Sequence, residues 1–205
     1  MTDQAVAGAR RSMTLDEMRA DFLCRRKGVP SLPITGCINY SIAALASLFV
    51  APEHANLALA ICFWAIMPVA ALIGWLRGEQ MRESSDNPLF RLANLARMMV
   101  LATWAIHVPV WIYAPTLFPL TIGVAFGLHW AVFSWTIDHP LGLIHLGLRC
   151  TLVVAAWLLV PGNRMGAVAA AVAVSYMISV WQLSRILRQE KISNMDRSSV
   201  IPLAE

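Results

Sequence analysis

His145 and Arg149 stand four residues apart in the apolar run LGLIHLGLRC, a spacing that sets both on one face of a helix. Asp138 and Gly142 continue that face toward the preceding turn, and His129 lies in the run before it, GLHWAVFSW. A guanidinium keeps its charge at every working pH, and its flat fork of N–H donors matches a carboxylate or a phosphate. An imidazole beside it donates, accepts or takes a proton according to its surroundings. The chemistry open to such a set is recognition of an anion or a polar headgroup. Asn39, in the first apolar run, adds an amide. Arg149, His145, His129, Asn39 and Asp138 are therefore the candidate ligand-binding residues.

Depth decides what these groups cost if the runs cross a membrane. Arg149 lies eight residues past Leu141, which corresponds to about 12 Å of helix inside a hydrocarbon core of about 30 Å. His129, ten residues past Pro119, reaches about 15 Å, and Asn39 comes to a similar depth. An arginine at mid-depth costs at least ~2.5 kcal/mol, so it must face protein, water or an anion. No Asp or Glu falls inside any apolar run, which leaves helix carbonyls, Asn39, Tyr40, His129 or an anionic ligand as partners for Arg149. The polar stretch then reads as one inward path, with Asp138 and His139 at its mouth, His145 on its wall and Arg149 at its end. A competing reading gives Arg149 a structural task only, bracing the bundle through carbonyls.

Other chemistry finds no support. The histidines at 54, 107, 129, 139 and 145 are spread along the chain at different depths, so no metal site is expected. No GxSxG, HExxH, Walker or GxGxxG motif occurs, and neither a catalytic residue nor a cofactor is assigned. Cysteines 24, 37, 62 and 150 form no CxxC pair and read as small apolar side chains.

The elements that hold these residues follow from composition. The chain has 205 residues, 58% of them apolar and 14% charged, with the charges gathered at the two ends and in one internal stretch. Six apolar runs of about 20 residues can cross a membrane. They cover approximately 33–50, 57–76, 92–113, 119–137, 141–160 and 165–187, separated by APEHAN, RGEQMRESSDNP, APTLFP, DHP and PGNR. Lys and Arg are concentrated before the first run, between the second and third, and after the sixth, so both termini are expected in the cytoplasm. On that reading Ser85 and the residues after Lys191 face inward while Glu53 and Thr116 face outward. Thr14 and Glu17 have capping-box spacing at the start of a short helix whose Leu15, Met18 and Phe22 share a face, as an interfacial helix requires. Gly123 and Gly127 have GxxxG spacing, which marks close helix packing within the chain or between copies in a homo-oligomer.

LDEMRADFLCRRKGVPSLP before the first run, DNPLFRL opening the third and GLHWAVFSW in the fourth resemble a family of small bacterial multi-span proteins that is known as a domain of unknown function. The resemblance covers roughly residues 14 to 160 and implies a compact helical membrane protein with no established activity or site. The expected architecture is all-α: a polytopic bundle of six transmembrane helices with a short N-terminal amphipathic helix. Residues 1–30 form a cytoplasmic segment, 31–187 the membrane domain, and 188–205 a cytoplasmic tail expected to be disordered. The functional expectation is a non-enzymatic bundle in a bacterial cytoplasmic membrane that binds or moves a small or lipid-like, anionic ligand. Membrane lipids are its expected partners, with no nucleic acid. The alternatives are a structural or accessory subunit without a ligand and, third, an intramembrane enzyme.

Overall fold

The computed structural model describes residues 13–25, 31–78 and 87–199, the last ten of these as backbone only. Ser85, expected on the inner side, lies outside the described residues. All regular structure among the described residues is helical. Helix α1 (Leu15–Arg25) starts with the reciprocal bonds anticipated from its sequence, Thr14 N–H to Glu17 Oε2 at 2.8 Å and Glu17 N–H to Thr14 Oγ1 at 3.3 Å. There follow α2 (Ser31–Ala46), α3 (Ala55–Trp64), α4 (Ile66–Leu76), α5 (Pro88–Ala102), α6 (Trp104–Tyr113), α7 (Phe118–Ala125), α8 (His129–Thr136), α9 (Leu141–Leu159) and α10 (Arg164–Ser199).

Five stretches among the described residues are long and apolar enough to cross a membrane: Pro52–Leu76, Pro88–Tyr113, Pro115–Thr136, Leu141–Leu159 and Pro161–Gln189. The first expected run, 33–50, forms α2, which is apolar but only 16 residues long. The Ser47 hydroxyl turns back to the Ala44 carbonyl at 2.6 Å as that helix ends, and Asn163 at the start of α10 donates to Ser47 at 3.0 Å. Helix α10 continues past the sixth expected run to Ser199, so helix covers the first part of 188–205; residues 200–205 lie outside the described set.

Three of the five stretches break near their middle, each for a local reason. Pro68 has no N–H for the Trp64 carbonyl, and the chain tightens at Ala65 between α3 and α4. At Thr103, between α5 and α6, the side-chain hydroxyl bonds the Val100 carbonyl at 2.6 Å. Between α7 and α8 the N–H groups of Gly127 and Leu128 reach back three residues, to Val124 at 2.9 Å and Ala125 at 3.1 Å. This short 3₁₀ passage takes Gly127 N–H away from the Gly123 carbonyl, its partner in an unbroken α-helix.

The core runs along α10, whose Val168, Val172, Ser175, Ser179 and Leu183 are buried at helical spacing against α2 and α9. The glycines of the fourth run serve this packing. A Cβ on Gly123 would stand 2.7 Å from Val153 on α9 and 2.9 Å from Val168 on α10, and one on Gly127 would stand 2.9 Å from Arg149 Cδ. Both glycines therefore face neighbours within the chain. Gly142 brings α9 against α8 so closely that a Cβ would collide with the Trp130 carbonyl oxygen.

A second, smaller cluster docks α1 where α5 begins and α8 ends. Phe22 packs on Phe90 with ring centroids 4.8 Å apart, beside Leu89 and Ile137. The Asn87 side chain caps α5 by accepting from Leu89 N–H at 3.0 Å, and its amide donates to the Met18 carbonyl at 2.7 Å and to Asp21 at 2.9 Å.

Candidate functional site

The freed Gly123 carbonyl is where Arg149 attaches. Arg149 Nε donates to it at 2.6 Å, and the whole side chain is 0% exposed. The guanidinium carbon lies 5.5 Å from the Tyr40 ring centre and 5.3 Å from that of Tyr176, and those two rings stack on each other at 6.1 Å. Cation–π attraction in such a desolvated setting is worth about 2 kcal/mol or more, which offsets part of the cost of burying the charge. Nη1 and Nη2 have no hydrogen-bond acceptor of normal geometry among the described residues.

One turn earlier, His145 is equally enclosed. Its Nδ1 lies 2.7 Å from the Ser179 hydroxyl, which itself donates to the Ser175 carbonyl at 3.0 Å. With that proton committed, Ser179 must accept, so the network assigns the proton to Nδ1 and leaves Nε2 bare. The Trp130 indole stacks on the imidazole at 3.9 Å, and its own Nε1 is buried without a partner among the described residues.

The remaining candidates separate from this centre. His129 is half-buried beside Trp130, within the electrostatic reach of both Arg149 and Arg97. Asn39 is buried, but its amide donates to the Cys62 carbonyl at 3.0 Å and ties α2 to α3; its neighbour Tyr40 is the residue that meets Arg149. Asp138 sits in the α8–α9 turn with a φ of 52°, its side chain 71% exposed, and pairs with Arg19 of α1 at 3.1 Å. Arg19 also donates to the Trp135 carbonyl at 3.1 Å. Asp138 therefore fastens α1 to the turn. A half-open groove of about 80 Å³ lies between α1, α2, α5 and α8, away from Arg149, with His129 and Trp130 among its lining residues.

Of the residues singled out from the sequence, Arg149 and His145 lie together at this centre, beside Tyr176, Ser179 and Trp130, which were not singled out. Tyr176 and Ser179 lie on α10, at the spacing that faces His145 and Arg149, but one chain read alone does not say which helices are neighbours. Among the described residues no three His, Cys, Asp or Glu side chains are placed to hold a metal ion.

The regular structure of the described residues is all helical, five of their apolar stretches are long enough to cross a membrane, and they close around a buried cation, an architecture like that of multi-pass membrane bundles. This chain is a member of a family of unknown function (DUF7010), whose pattern it matches over residues 15–185. No curated protein and no solved structure matches it.

Proposed function

We propose that this protein is a non-enzymatic membrane bundle that binds a small or lipid-like anion at Arg149. The observation that carries the reading is the pair of Arg149 Nη groups, fully buried and without an acceptor of normal geometry among the described residues, in runs that supply no carboxylate. A charge that cannot be neutralised by losing its proton calls for a counter-charge at that depth. The Tyr40 hydroxyl, which interacts with the Arg149 side chain, and Trp130 Nε1, buried without a partner among the described residues, add neutral polar groups nearby. The test is titration of the purified protein with acetate, inorganic phosphate and palmitate, read by thermal stabilisation. Wild type should be stabilised, and Arg149→Lys should lose most of that effect because it keeps the charge but not the fork. Equal stabilisation of Arg149→Met and wild type would overturn the reading.

A structural Arg149 is the second reading, favoured by its bond to Gly123 and its two aromatic neighbours. It expects Arg149→Met to fold with unchanged ligand retention.

For the molecule's setting we propose six crossings of a bacterial cytoplasmic membrane with both ends inside. Helix α2 supplies the additional crossing, extended by the exposed apolar Leu48 and Phe49. An even count returns the chain to the side where its basic ends belong. Helix α1 then lies along the inner interface, where it packs on the ends of α5 and α8.

A further inference from the structure

The groove between α1, α2, α5 and α8 lies at one end of the bundle. Leu32 belongs to the first turn of α2 and Thr136 to the last turn of α8, and both line it together with Phe22 of α1. From Thr136 the lining follows α8 inward to His129, seven residues away. That is about 10 Å of helix, which fits within the ~15 Å of hydrocarbon that one leaflet contributes to a core of about 30 Å. Phe22, Ala96 and Thr136 in the lining are buried, whereas Leu32, Arg97 and His129 are partly exposed. Size decides between occupants: a space of about 80 Å³ is too narrow for a helix about 10 Å across, from a second copy or any other partner, but it admits a single hydrocarbon chain. Charge decides the headgroup. Among the described residues the lining has one permanent cation, Arg97, and no Asp or Glu. A partly exposed arginine in an apolar setting attracts phosphate, and its flexible stem and local thinning of the bilayer bring the two together.

We propose that this groove seats one acyl chain of an anionic phospholipid from the leaflet on the α1 side, with the lipid phosphate drawn to Arg97. The site is separate from Arg149 and goes beyond the reading above. Phe22 belongs both to the groove and to the cluster that docks α1, so the seated chain and the docked helix hold one another in place.

The test uses the full chain in phosphatidylcholine nanodiscs that carry a trace of phosphatidylglycerol or phosphatidylcholine with a diazirine in one acyl chain. Both probes should label the outward-facing Leu45, Trp75 and Tyr113 alike. At Leu32, Ala93 or Ala96 phosphatidylglycerol should label about fivefold more than phosphatidylcholine, the effect of roughly one basic side chain near the headgroups. Arg97→Gln should remove that preference and Arg97→Lys should keep it, because a phosphate answers to the charge. Ala93→Leu, which fills the groove, should lower groove labelling by both probes severalfold. Labelling confined to the outward-facing residues of the wild type would overturn the proposal without recourse to any variant, and equal groove labelling by the two probes would overturn the anionic headgroup. Groove labelling that vanishes when two copies share a disc would assign the space to a second copy and overturn the lipid. Titration of Arg149 with soluble anions reads a different site, so either proposal can fail alone.

Discussion

At Gly127 a hydrogen atom faces the Arg149 side chain, and the cost of putting anything larger there can be set against its neighbour. Leu128 is 51% exposed and points outward. Gly127→Leu should destabilise the bundle by about 1–3 kcal/mol through overpacking, while Leu128→Ala should cost under about 1 kcal/mol. Thermal unfolding in detergent compares them, and equal losses would show that the stripe is not packed as described. The Asp138 backbone makes a different demand. Its φ of 52° is tolerated by Asp, Asn and Gly and strained for a β-branched residue, so Asp138→Val should cost about 1–2 kcal/mol more than Asp138→Asn in the same assay. Both changes remove the Arg19 ion pair, which isolates the backbone effect. Arg149 was legible in the sequence because an arginine deep in an apolar run demands an explanation from depth alone. Asp138 was not, because its partner Arg19 is 119 positions away in the numbering and nothing local announces α1 docking there.

Helix α1 gives the clearest element-scale expectation. Burial by itself would raise the Asp21 carboxyl, but the Asn87 amide and the Arg25 guanidinium outweigh it and hold the group below its usual value of 3.8. A depressed folded-state value means the interaction contributes in full above the ordinary value and is lost as pH falls through the folded one. Hydrogen exchange of the α1 amides should therefore speed up, relative to α9, as pH drops below about 4, after correction for intrinsic exchange. Asn87→Ala should loosen α1 at neutral pH and cost about 1 kcal/mol through the lost α5 cap. The capping box of α1 and the Pro- and Gly-marked ends of the long runs could be read in advance, since they are local chemistry. The mid-run breaks were missed. Their causes, Pro68, the Thr103 hydroxyl and the three-residue bonds at Gly127 and Leu128, act only once neighbouring helices fix the alternatives. His107 illustrates the point. It bridges Thr103 and Thr121, each at 3.1 Å, and so fastens α6 to α7.

For the molecule as a whole, the basic residues predict that cysteine placed at position 53 is labelled from outside intact cells and cysteine at position 85 is not; the reverse pattern would invert the orientation. The apolar runs were visible from composition, whereas the neighbour relations among them, above all the central place of α10, arise from interior shapes that hydropathy does not encode. That central place governs the order in which the chain can be completed. Arg149 and His145 are made before α10, yet Tyr176 and Ser179, which receive them, emerge afterwards. During synthesis α9 must therefore carry the Arg149 charge without the aromatic face and hydroxyl that accommodate it. A chain stopped at Val160 should leave α9 poorly inserted and open to protease, and supplying residues 161–205 as a separate polypeptide should rescue it. Biogenesis of this protein would then close from its last helix inward, with α9 as the segment that waits.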